Sequence, residues 1–74
     1  MRNINLFDSV VLLDDIPGEN LERGNVGAIV HVHNDGEAFE VEFVDTDGHT
    51  YGLLPLTPNQ FIVLSHEARE KIAA

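Results

Sequence analysis

The residues of this sequence whose types and spacing can do chemistry are histidines and carboxylates. His31 and His33 stand two apart, so on a strand both imidazoles face one side and can approach one metal ion. Two ligands do not make a site. A third has to come from a neighbouring strand, and Glu40 or Glu42 are the nearest candidates across a hairpin. The simpler reading is a pair of surface histidines beside an acidic strand, so no metal and no cofactor are expected. Asp45-Thr46-Asp47-Gly48 has the opening of a calcium loop, but such a loop needs a Glu at its twelfth position, which here is Leu56. The segment reads as a turn. Asp14 and Asp15 are adjacent, and neighbours on a strand point to opposite faces, so they cannot easily flank one bond. Ser9 and Ser65 lack a base-and-orienter arrangement. Gly24-Asn25-Val26-Gly27 is too short for a phosphate loop and has no Lys. An enzyme is therefore not expected.

The acidic side chains point to binding instead. From Gly24 to Ala68 there is no Lys or Arg, yet Asp35, Glu37, Glu40, Glu42, Asp45, Asp47 and Glu67 all fall in that stretch. Glu40 and Glu42 share the outward face of one strand, about 7 Å apart along the backbone. Like charges so placed repel and weaken an isolated sheet. A surface this one-sided attracts a basic partner and speeds encounter. The competing reading is a solvated face that confers solubility and blocks edge pairing. The expected partner surface is Glu37, Glu40, Glu42, Asp45 and Asp47, with Tyr51 or Leu54 supplying desolvated contact. With one Tyr, no Trp and four Phe, too few aromatics remain to pave a groove for Pro-rich peptides.

The whole chain sets limits on these readings. Its 74 residues suffice for one domain and not two. A formal net charge of −9 argues against nucleic acid as a direct partner, since phosphate contacts need Lys and Arg, and equally against an anionic membrane surface. Zero Cys removes disulfides, thiolate zinc sites and thiol nucleophiles, and fits a reducing compartment. No apolar run approaches the ~20 residues of a membrane span, and the start lacks the apolar core of a secretory signal. The expected setting is the cytoplasm.

The elements that must position these residues are strands. Asp8 to Asp15 contains four consecutive apolar residues and predicts a short central strand. Ile16-Pro17-Gly18-Glu19-Asn20 is turn chemistry, with Leu21 tucked inward after it. Gly24 and Gly27 predict a turn followed by close backbone approach. The next strand, Val26 to His33, alternates, and its all-aliphatic set Val26, Ala28, Val30 and Val32 is the expected core face. Asn34-Asp35-Gly36 predicts a hairpin. Glu37 to Asp45 is the clearest strand, with Phe39, Val41 and Phe43 inward. After a second hairpin at Asp45–Gly48, a strand runs from about Thr50 to Leu56, with Pro55 marking an edge or bend. Thr57 to Gln60 reads as one helical turn with Pro58 at its first position, and Phe61 to Leu64 as a last strand. Residues 65–74 predict a short helix capped by Ser65, with Arg69 and Lys71 late in it and Ile72 the side chain able to pack.

Three stretches, Asp8–Pro17, Leu21–Val30 and Asp35–Phe43, resemble a group of short bacterial proteins catalogued as domain of unknown function 4926. The resemblance spans roughly residues 6 to 64, and Gly36-Glu-Ala-Phe-Glu-Val-Glu-Phe43 is its most specific part. The Gly24-x-x-Gly27 element is shared by many SH3-like barrels and adds little. The resemblance implies an SH3-type barrel without assigned catalysis. It also implies an antitoxin or immunity role, because such proteins are often encoded beside small proteins resembling toxins. It supplies no catalytic residues, and the tail after Leu64 departs from the shared pattern.

The expected fold is thus mainly β: a small SH3-like five-stranded barrel over about residues 6–64 with a short C-terminal helix over 65–74. An open meander with one face covered by a second copy is the alternative architecture. The expected function is a non-catalytic, acidic protein-interaction module for a basic or mixed-charge protein. The alternative is a structural homo-oligomer or small subunit of a larger assembly, joined through the Phe61–Leu64 strand and the tail.

Overall fold

In the computed structural model, which describes residues 4–64, every expected strand forms. They are β1 (Ser9–Leu12), β2 (Val26–His33), β3 (Ala38–Val44), β4 (Thr50–Leu56) and β5 (Phe61–Leu64). All pair antiparallel in one sheet of order β4-β3-β2-β1-β5, a four-strand meander with β5 returning to lie on β1. Short 3₁₀ turns occupy Pro17–Glu19, Asn34–Gly36 and Pro58–Gln60. Proline opens the first and third, where its missing N–H costs nothing. Asn34, Asp35 and Gly36 all take positive φ, as a tight reversal between β2 and β3 requires. Thr57 N–H donates to Gln60 Oε1 at 2.7 Å and closes the turn before β5.

The core is built from the inward positions of all five strands plus one loop residue. Val10, Leu12, Ile29, Val41 and Phe43 are fully or almost fully buried, joined by Leu21, Phe39, Leu56 and Phe61. Phe39 and Phe61 lie three strand positions apart, about 14 Å in a flat sheet. Their ring centroids are nevertheless 5.9 Å apart, edge to face, so the sheet curls strongly around its core.

The curl does not close. The expected five-stranded barrel is one open sheet here, because the ladders leave β4 and β5 as its two borders. Pro55 in β4 has no N–H to give, and β5 has only four residues, so neither border is well equipped to pair with the other. The helix predicted over 65–74 lies outside the described residues.

A second correction concerns β2. The expected core face of Val26, Ala28, Val30 and Val32 turns inward only at Val32: Val26 is exposed, while Gly27 and Ile29 are buried. The register shifts between Ile29 and His31, so Val30 is an extra residue and the alternation changes phase. Beyond it Val32 pairs with Phe39 and packs on the core, while His31 pairs with Glu40. The bulge thereby keeps His31 and His33 out of the core.

Gly27 shows why a side chain is absent at the crossing of β2 over β3. A Cβ there would sit 2.8 Å from the Glu42 carbonyl oxygen, 2.8 Å from Val41 Cγ1 and 2.9 Å from Phe43 Cδ2.

Candidate functional site

The outward face of β3 and the turn after it gather most of the residues expected to bind a partner. Because Phe39, Val41 and Phe43 are drawn inward, Glu40 and Glu42 are forced onto the opposite face. Neither stands free in water. Glu40 is only 24% exposed and its Oε1 lies 2.8 Å from His33 Nε2. Glu42 is half-buried and its Oε2 accepts a hydrogen bond from Thr50 Oγ1 at 2.7 Å. Cross-strand, Glu42 sits between Ala28 and Leu53. Each glutamate thus engages one carboxylate oxygen within its own chain.

Asp45 and Asp47 are exposed in the β3–β4 turn. Asp45 Oδ1 accepts the backbone N–H groups of Asp47 and His49, each at 2.9 Å, and so builds the turn. Glu37 is exposed at the other end of β3, eight residues from Asp45 and about 27 Å away along an extended backbone. One small patch cannot include both. Tyr51 is partly exposed, with its ring 6.2 Å from that of Phe43. Leu54 is half-buried and packs against the core.

His31 and His33 do share a neighbourhood, with ring centroids 4.7 Å apart, and Glu40 is the acid that reaches them. They are not the residues that converge best for a cation. Among the described residues, the group of three whose ligand atoms all lie within 4.8 Å is Asp45, Asp47 and His49. All three are exposed, and Asp45 is already committed to the turn. The i, i+2, i+4 spacing of these residues is visible in the sequence, but His49 gains meaning only once the turn brings it back to Asp45.

Sequence reasoning missed an aliphatic row on the same outward face. Val11 pairs with Ile62 on one side and Val26 on the other. Val44 follows one step beyond the Gly27–Phe43 pair, which sets it beside Val26. Ile62, Val11, Val26 and Val44 thus cross four strands, and Ile62, Val26 and Val44 are 54%, 51% and 43% exposed. The signal was present as the non-core half of each strand, but the assignment of Val26 to the interior hid it.

No helix among the described residues is long and apolar enough to cross a membrane. The family model described as Domain of unknown function (DUF4926) matches residues 6–63 of the chain. No curated protein and no solved structure matches it.

Proposed function

We propose that this chain, which belongs to the domain-of-unknown-function family DUF4926, is a non-catalytic, SH3-like module of the cytoplasm that binds a basic or mixed-charge protein. The observation that carries the reading is the charge of one surface. Glu40, Glu42, Asp45 and Asp47 line β3 and its following turn, and the stretch from Gly24 to Leu64 holds no Lys or Arg. Such a field raises encounter rates with cationic surfaces and disfavours anionic ones. The SH3-like part rests on the strand order and on the 3₁₀ turn preceding β5. An antitoxin- or immunity-type pairing with a basic toxin is the form of the reading that the family resemblance favours.

The test is affinity capture from a native extract at low and high salt, with the wild-type chain and a Glu42→Lys/Asp47→Lys variant. One basic protein held at low salt, and lost both in the variant and at high salt, supports the reading. Capture that is indifferent to salt and to the charge reversal refutes it.

A homo-oligomer is the second reading, favoured by the exposed Ile62 on β5, a border strand of the sheet among the described residues. A mass measurement in dilute solution separates it from a monomeric binder.

A further inference from the structure

We propose that the acidic surface of β3 and its following turn is gated by pH: the histidines set among its carboxylates offset its charge in mild acid and release a cationic partner. The inference rests on the partner reading above and adds the regulation of that same surface.

Three observations carry it. First, every histidine among the described residues stands beside a carboxylate of that surface. His31 pairs with Glu40 across the ladder, and His33 Nε2 lies 2.8 Å from Glu40 Oε1. A ring nitrogen of His49 and one oxygen each of Asp45 and Asp47 lie within 4.8 Å of one another. Glu42 reaches Thr50, the neighbour of His49. Second, β2 breaks its own alternation to put two of them there. Gly27 and Ile29 face inward, so an unbroken strand would send residues 31 and 33 inward too. The extra residue Val30 reverses the phase and turns both imidazoles toward Glu40. Third, the histidines are the cations available there. Arg23, the one Lys or Arg among the described residues, forms no ion pair with these carboxylates. Imidazole is the side-chain group that gains charge between about pH 8 and 5, a range in which carboxylates generally stay ionised. Glu40, Glu42, Asp45 and Asp47 therefore face a partner with four negative charges beside neutral imidazoles, and with a net one beside three protonated imidazoles. The remaining titratable groups around the histidines do not compensate. The β2–β3 turn adds the exposed carboxylates of Asp35 and Glu37. On the other side of β2, strand β1 has no titratable side chain, and Asp8 before it accepts the Asn5 N–H. β4 has only the phenol of Tyr51.

The test uses the full chain and a synthetic decalysine peptide as the cationic probe. Affinity is read by calorimetry at low salt, at about pH 7.5 and about pH 5.5. Decalysine is expected to bind at least about tenfold more weakly at the lower pH. In His31→Gln/His33→Gln/His49→Gln the two affinities should be alike, and a melting temperature unchanged at the higher pH certifies the fold of that variant. His49→Gln alone, in an exposed turn, is the substitution least able to disturb the fold, and it should remove part of the fall. In the wild-type chain, the imidazole proton resonances of His31, His33 and His49 should titrate over the range in which affinity is lost.

Binding at the higher pH that is undiminished at the lower one overturns the gate while leaving the charge-based partner reading intact. Failure of decalysine to bind at either pH defeats that partner reading itself. A fall in affinity that persists in full in the triple variant gives the response to groups other than these three histidines, and overturns the gate as well.

Discussion

Gly27 and Phe43 fix how closely β2 can lie on β3. Gly27→Ala places a methyl group within 2.9 Å of backbone and core atoms that have no room to retreat. It should cost roughly 1–3 kcal/mol of unfolding free energy in urea. Gly18→Ala is the matched control: nothing lies within 4 Å of the added carbon, so its denaturation midpoint should stay close to wild type. Phe43 is fully buried, and Phe43→Ala should remove about 3–5 kcal/mol, a large share of what so small a domain holds. The His33–Glu40 contact belongs to a different class. Both side chains are partly in water, at 37% and 24%, so a double-mutant cycle between His33→Ala and Glu40→Gln should return a coupling below about 1 kcal/mol.

At the scale of elements, Asp45 organises the β3–β4 hairpin by accepting two backbone N–H groups on one oxygen. Asp45→Ala should destabilise the fold by about 1–2 kcal/mol, whereas Asp45→Asn, which retains that oxygen, should lose much less; thermal melting of the pair decides. The strands themselves were legible because each announces itself locally. The Phe39-Val41-Phe43 alternation fixes β3, and the Asn34-Asp35-Gly36 and Asp45–Gly48 turns fix its ends. Pro58 at the head of a 3₁₀ turn fixes the approach to β5. The inward face of β2 was not legible. Strict alternation assigns Val26, Ala28, Val30 and Val32 together, and a single extra residue, Val30, breaks the rule in a way no local propensity reveals. Small Gly27 does not look like a core residue, yet the core reaches its backbone. The same error concealed the outward aliphatic row. The candidate carboxylates were correctly placed on β3 and its turn, but their engagement by His33 and Thr50 depends on cross-strand register, which the hydrophobic pattern alone does not give.

At the scale of the molecule, the expected behaviour is a long-range attraction. Association with a basic protein should slow as salt rises, because exposed charges are screened beyond about 10 Å at 0.1 M, while dissociation should respond less to salt. Stopped-flow association and dissociation rates at several ionic strengths check both halves. The open sheet has a further consequence. Its borders are unlike each other: β4 carries Pro55 and is one donor short, while β5 is four uninterrupted apolar residues with neither proline nor charge. Edge-to-edge pairing of two molecules is therefore expected along β5 sooner than along β4, and a mass measurement over a range of concentrations, repeated with Ile62→Pro, checks it.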